Sequence, residues 1–427
     1  MLTRRLFMGG LGAGAGVLAC SPPSWAAQGA GQPGGKKRLA VVTTVWTYGT
    51  HAWHMAERFL VGYPSRGGWH QPGLEVVSAY VDQQPDGDLS RGRAEEFGFT
   101  LYPTIAEALR RGGSTLDVDA VLIIGEHGDY PVNAIGQKQY PRYEFFRQVA
   151  EVFRQDGRST PVFNDKHLSW NFDWAKEMVE TAHELGFPML AGSSLPVTWR
   201  MPAVDLPFGA EVEELVGVAF GPVDIYDFHA LEMIQSLAER RRGGESGVVA
   251  MHALRGEEVW KAMAAGSWSE GGWDPRLFEG CLSRSQTLAQ PESFSHRYPT
   301  PGQMAEWVKD PVAYRFEYAD GVKATMLLMN GLVQDFTVAA RIEGEAEPLS
   351  TLFYLPPNPN VVYSAALMEN AERLFLTGEA AYPVERTLLT SGLVAAGLQS
   401  LADGRRLETP QLAVRYQAPR ASTYWRS

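Results

Sequence analysis

Three short segments of this sequence concentrate side chains that can do chemistry. His51 and His54 stand three apart. Gly125-Glu126-His127-Gly128-Asp129-Tyr130-Pro131 sets two carboxylates around an imidazole, and Asn164-Asp165-Lys166-His167 places a lysine between an acid and a histidine. Imidazoles and carboxylates on one face suit a divalent metal, and His51, His54, Glu126 and His127 are the set that would hold one. A lysine withdrawn from water can hold or deliver an alcohol proton, which is what Lys166 offers. Each feature also has a plainer reading. His51 and His54 can be capping or surface histidines, and Glu126 and Asp129 can brace their own loop. Lys166 can pair with Asp165 or Glu126, and His229, further along, can be a satisfied core histidine. Trp170, Phe172 and Trp174 read as packing, with an aromatic lining for a sugar as the alternative.

The flanking residues say how these segments could meet. Leu39-Ala40-Val41-Val42, Leu74 to Val81, Asp119 to Ile124, Pro161-Val162-Phe163 and Pro188 to Ala191 are apolar, β-branched runs, as expected of strands buried on both faces. Helical stretches separate them: about His51 to Leu60, Pro103 to Leu109 with Thr104 as N-cap and Glu107 three residues on, Tyr143 to Phe153, and Asp173 to Leu185. That alternation demands crossover connections, so residues 36–200 are predicted to form a Rossmann-like, doubly wound parallel α/β sheet. In such a sheet the loops after successive strands open on one edge, which brings the three segments to one crevice. After Arg200-Met201-Pro202 the rhythm changes. A helix from about Phe228 to Arg240 precedes strands over Val312 to Met329 and Phe336 to Arg341, with Ala413 to Tyr416 as a closing strand. Residues 201–427 are therefore predicted to be an α+β domain with a mixed, largely antiparallel sheet on the substrate or oligomerisation side. Arg240-Arg241-Arg242 reads as a solvated helix end.

A chain of 427 residues suggests two domains. With 38 basic and 49 acidic side chains the net charge is −11, the wrong sign for a nucleic-acid partner. Residues Thr3 to Met8 carry the pair Arg4-Arg5 ahead of an apolar, glycine-rich stretch ending at Ala19, which reads as a twin-arginine export leader too short to span a membrane. The expected location is periplasmic or extracellular, with the twin-arginine machinery as a partner. Two cleavage sites compete: Val17-Leu18-Ala19-Cys20 would lipidate Cys20, and Ser24-Trp25-Ala26 would release a soluble chain. Residues 28–35 read as a linker. Cys281 is the one other cysteine, so removal of the leader leaves no internal disulfide. No Gly-x-Ser-x-Gly elbow, His-Glu-x-x-His helix or phosphate-binding P-loop is present.

From about Lys37 to Tyr416 the sequence resembles the glucose-fructose oxidoreductase / inositol dehydrogenase / MocA family. The resemblance is carried by Thr377 to Leu389, Glu408 to Leu412, Thr100 to Leu109 and Ala182 to Met189. It implies an NAD(P)-dependent oxidoreductase acting on a sugar, polyol or related hydroxy compound, and a second-domain sheet that often mediates homo-oligomers. The family's Glu-Lys-Pro motif falls on Asp165-Lys166-His167, and its downstream histidine on His229, beside Asp224 and Asp227. The catalytic set it implies is thus Lys166, His229, Asp165 and His167. The cofactor-binding set is Thr43, Thr44, Gly49, Asp82, Glu126 and His127. The departure lies at the first strand, where a dinucleotide site needs Gly-x-Gly-x-x-Gly. Here Thr43-Thr44-Val45-Trp46-Thr47-Tyr48-Gly49-Thr50-His51 keeps one glycine, and Trp46 and Tyr48 are expected to crowd the phosphates. A non-redox, metal-assisted hydrolase or lyase, or a ligand-binding protein on the same scaffold, is the alternative.

Overall fold

In the computed structural model, which describes residues 35–292, 297–357, 360 and 362–426, the apolar runs become a six-stranded parallel sheet. In chain order its half contains β1 (Lys37–Thr43), α1 (His51–Val61), the hairpin β2–β3 (Tyr63–Ser65 and Gly68–His70), β4 (Leu74–Val81), α2 (Ser90–Phe97), β5 (Thr100–Leu101), α3 (Ile105–Arg110), β6 (Ala120–Ile124), α4 (Arg142–Asp156), β7 (Val162–Asp165), α5 (Phe172–Glu184) and β8 (Met189–Gly192). The strand order is β5-β4-β1-β6-β7-β8, so the winding reverses between β1 and β6. Crevices at such a switch point are where ligands of open α/β sheets bind. The continuous apolar strands are explained by two covers. Phe146, Val149 and Phe153 of α4 and Met178 of α5 pack on one face. Met55 and Phe59 of α1 pack on the other. Thr104 caps α3 as expected, its hydroxyl accepting from the Glu107 amide at 3.1 Å. The leader and its two cleavage sites, Cys20 and Ala26, lie outside the described residues.

The second sheet mixes directions. It comprises β9 (Trp199–Met201), β10 (Val212–Ala219), β11 (Val248–Arg255), β12 (Val312–Tyr318), β13 (Lys323–Leu328), β14 (Phe336–Ile342), β15 (Leu349–Tyr354) and β16 (Leu407–Glu408), ordered β16-β11-β12-β13-β10-β14-β15-β9. Only the β10–β13 pairing is parallel. The closing strand expected at Ala413 to Tyr416 is instead β16, and Tyr416 makes an isolated bridge to Glu245. One face carries α6 (Tyr226–Ala238) and α11 (Glu385–Asp403). The other is covered by α7 (Glu257–Ala265), α8 (Pro275–Arg284) and α9 (Pro301–Trp307) through Val259, Phe278 and Met304.

The chain returns to the parallel sheet at its end. Leu367, Leu374 and Phe375 of α10 (Ala365–Thr377) complete the core on the α1 side. Helix α11 adds Leu388 to the α4–α5 side and Leu393 to the second sheet. Arg240 and Arg241 are not the solvated helix end that the run suggests. Both are buried: Arg240 donates to the Leu206 carbonyl at 2.9 Å, and Arg241 lies over the Tyr318 ring and pairs with Glu245 and Asp320. Trp170, Phe172 and Trp174 pack, Trp174 stacking on Tyr143. Among the described residues no helix is long and apolar enough to cross a membrane.

Candidate active site

Strand β7 ends at Asp165, and the backbone turns out of it at Lys166 with φ +59°, a left-handed conformation costly for a residue with a Cβ. The turn aims the lysine at the switch point, where its Nζ lies 3.4 Å from Oε1 of Glu126 on the loop after β6. The other carboxylate oxygen of Glu126 is bonded by Arg142, the first residue of α4. Gly125 makes room for that arginine, since a Cβ there would lie 2.5 Å from Arg142 Cγ. All three charged groups are almost fully buried. Burial alone would raise the Glu126 carboxyl, but Lys166 and then Arg142 outweigh it and hold the group well below the usual range. Of the plainer readings of Lys166, the pairing with Glu126 is the one observed.

The histidines surround this triad in different roles. Arg142 Nη1 lies 3.1 Å from a ring nitrogen of His167, whose ring edge meets Phe228, and burial followed by the Arg142 charge holds that imidazole neutral. His167 therefore packs between the sheet and α6. His51 Nδ1 lies 2.6 Å from Asp165 Oδ2. The His127 ring approaches His51 with centroids 5.1 Å apart, and burial above all pushes its pKa down to about 4. His229, on the first turn of α6, is neutral through burial and then Lys166, and its Nδ1 has no partner among the described residues. It is thus not a satisfied core histidine. His54 lies against Tyr363 at 4.5 Å. The proposed metal set does not assemble, because Glu126 is committed to Arg142 and Lys166 and His54 is turned to Tyr363. Among the described residues no group of three or more His, Cys, Asp or Glu is placed to hold a metal ion.

The loop after β1 differs from what its aromatics suggest. Trp46 is fully buried, turned beneath the loop to stack on Phe99 and to donate to Glu57 at 3.3 Å. It does not crowd the crevice. Tyr48 stays on the rim, 67% exposed and against Trp53. Gly49 supplies the left-handed turn at φ +77° that brings the chain into α1. The hydroxyls of Thr43 and Thr44 are turned inward to the carbonyls of Ile124 and Glu126. Asp82, just after β4, accepts from the hydroxyls of Tyr80 and Tyr130, both at 2.7 Å. Gln83 clasps the backbone of Asp129 through both amide atoms, at 2.9 and 3.0 Å. Of the residues expected to hold a dinucleotide, Thr43 and Thr44 are engaged inward and both Asp82 oxygens are taken by tyrosine hydroxyls, so a ribose would have to displace one of them. Helix α1 begins in the loop after β1, beside the switch point, with no acidic residue in its first turn, so its N-terminal amides offer a seat for an anion.

A cavity of about 530 Å³ lies beside the cluster, lined by Phe220, Tyr226, Phe336 and Tyr363 with Gln286 and Asp335. Tyr226 and Phe336 contact the His229 ring, and Tyr363 contacts His54, so the cavity leads to the histidines. Sequence reasoning passed over Arg142, Tyr226 and Tyr363. A cation at the first position of a helix opposes the helix dipole, and that was the one available signal for Arg142.

Two acids at the start of α6 give the site a pH dependence. Asp224 is pushed up to about 7 by burial; it accepts from the Lys138 amide at 2.6 Å, and its Oδ1 has no partner among the described residues. Asp227 is pushed up to about 6, again by burial. The folded state keeps protons that these carboxyls release near pH 3.8 when unfolded. Their contribution to stability is thus full at low pH, declines as pH rises from there through about 6–7, and is absent above. Asp224→Asn keeps the acceptor and suits the left-handed φ of +64°. It is expected to gain about 1–3 kcal/mol over the parent at pH 8 and almost nothing at pH 4, read by urea unfolding at both pH values.

No family model matches this sequence, and no curated protein matches it. Solved structures do. GenD2 from gentamicin A biosynthesis, in complex with NAD, superposes with TM-score 0.53 at 14% identity over 88% of this chain and 97% of its own. The chain shares the fold of this structure. A myo-inositol dehydrogenase from Lactobacillus casei in complex with NAD(H) and myo-inositol gives TM-score 0.52 at 11% identity, over 87% of this chain and 96% of its own. A probable dehydrogenase from Thermotoga maritima gives 0.51 at 13%, over 88% and 99%. The family resemblance read from the sequence is thus met by the architecture over most of the chain.

Proposed function

We propose that this protein is an oxidoreductase that interconverts a hydroxyl and a carbonyl on a neutral sugar or polyol, with a nicotinamide dinucleotide seated at the β1–β6 switch point. The observation that carries the reading is an aromatic cavity whose walls Tyr226 and Phe336 meet the His229 ring, beside the Lys166–Glu126 cluster, in a fold shared with NAD-bound dehydrogenases. Aromatic walls with an amide and acid rim suit the apolar faces and hydroxyl edges of a polyol. Lys166 and Arg142 share the Glu126 carboxylate, so the cluster's cations are already paired, which disfavours a phosphate or carboxylate substrate. The nicotinamide, when bound, supplies the hydride acceptor. Lys166 keeps ammonium protons free to donate to the substrate oxygen, and neutral His229 offers a lone pair at Nδ1 to a second hydroxyl. The export reading rests on Arg4-Arg5 and places this chemistry outside the cytoplasm.

Titration of the full chain with NAD and NADH, followed by turnover with myo-inositol and other neutral polyols, tests the reading. Dinucleotide binding in the range of about 1 μM to 1 mM is expected. Tyr130→Phe frees one oxygen of Asp82 for ribose and is expected to tighten binding about fivefold, the worth of one hydrogen bond. Absence of dinucleotide binding by both proteins overturns the reading.

A further inference from the structure

His51 opens α1 and reaches across the switch point to the last residue of β7, so that its imidazole and the Asp165 carboxylate meet from opposite sides of the crevice. Both side chains are buried, the imidazole 9% and the carboxylate 0% exposed. With the carboxylate accepting, the neutral ring carries its proton on Nδ1 and leaves the Nε2 lone pair uncommitted. A cluster of uncommitted polar atoms stands around it. Oδ1 of Asp165, Nε2 of His127, Nδ1 of His229 and Oδ1 of Asp224 are all buried without a hydrogen-bond partner among the described residues. Buried polar atoms are ordinarily paired, so unpaired ones on β7, on the loop after β6 and at the start of α6 mark the place of a ligand rich in hydroxyls. Lys166, ion-paired to Glu126, donates hydrogen bonds and accepts none. An alcohol oxidation needs an acceptor for the hydroxyl proton, and the lysine as placed does not provide it.

We propose that His51 is the catalytic base of the oxidation put forward above, on which this inference rests, and that Asp165 is its positioning residue. In the forward direction the substrate O–H bond breaks and its proton passes to Nε2 of His51. The oxygen's electron pair forms the carbonyl, and the carbinol C–H pair leaves as hydride to the oxidised nicotinamide. Asp165 remains ionised and holds the imidazolium through Nδ1–H, the stronger, charge-assisted form of the same bond. Lys166 donates to the oxygen throughout. In the reverse direction His51 returns the proton.

The test uses the full chain with NAD and myo-inositol, together with ¹⁵N-histidine spectra of the ligand-free protein. His51→Gln is expected to lower kcat by about 10²–10⁴-fold with KM within about threefold, because base and binding roles separate in this way. Imidazole added to His51→Gly is expected to restore part of kcat. In the spectra one ring is expected to be locked as the Nδ1–H tautomer and to lose that lock in Asp165→Asn. The inference is overturned if His51→Gln keeps kcat within about threefold of the parent, or if Asp165→Asn leaves every ring signal unchanged. Parent protein that binds NAD and oxidises no polyol overturns the oxidation reading and the base role with it. An active parent with an equally active His51→Gln overturns the base role alone.

Discussion

Glu126→Ala is expected to destabilise the protein by about 3–5 kcal/mol, because it strands two buried cations at once. Arg142 and Lys166 are 1% and 5% exposed in their side chains, and Glu126 is the carboxylate to which both are ion-paired. Removing one partner of a buried pair costs more than the pair contributes, since the charge left behind has lost its water as well as its counterion. The site also stores backbone strain. Lys166 holds φ +59° and His127 φ +68°, and the Glu126 contacts hold the two loops together. Adding Lys166→Met to the alanine variant is expected to recover part of the loss, which a purely steric account of the cavity would not give. The pH dependence carries the sign of a lowered acid. The Glu126 contribution is fully present above its unfolded value of 4.5 and is lost as pH falls through its lower folded value. Urea midpoints of the parent, single and double variants at pH 7 and pH 4 check all of this.

The parallel half of the fold was legible because its strands are apolar on both faces, a pattern that few alternatives share. The same runs located Asp165, Lys166 and Glu126 at strand ends, and geometry then placed them together. What the sequence concealed were the features decided by distant residues. Arg240 and Arg241 look like a solvated run, yet Asp320 lies 79 residues beyond Arg241, and only the second sheet brings the two together. Trp46 reads as an obstruction to phosphate, because local sequence does not reveal the space beside Phe99 into which its ring turns. Helix α10 is separated by about 170 residues of chain from the β8 strand whose sheet it covers, so its apolar face had no visible partner. The His51–Asp165 contact, 114 residues apart, was out of reach for the same reason.

Arg386→Met is expected to cost a further about 3–5 kcal/mol in its own right, and to disturb the site from its far end. Arg386, on the first turn of α11, binds both carboxylate oxygens of Glu239 at the end of α6, with its guanidinium 3.8 Å over the Tyr382 ring. Both side chains are 2% exposed. Without the arginine, Glu239 keeps the Tyr416 hydroxyl at 2.8 Å and no cation. A buried carboxylate in that position must take up a proton or admit water. The double variant Arg386→Met/Glu239→Leu removes both charges and is expected to lie within about 1–2 kcal/mol of the parent, as apolar replacements of whole buried pairs do. The consequence for function follows from the helix itself. Its opposite end carries Tyr226, which lines the cavity, and His229, which the Tyr226 ring contacts, so Arg386 anchors the element that positions both. The single variant is therefore expected to weaken polyol binding while leaving dinucleotide binding, which the proposed function assigns to α1 and Asp82, near the parent value. Titrations of each ligand alone separate the two effects, and equal loss of both would show that the damage is global.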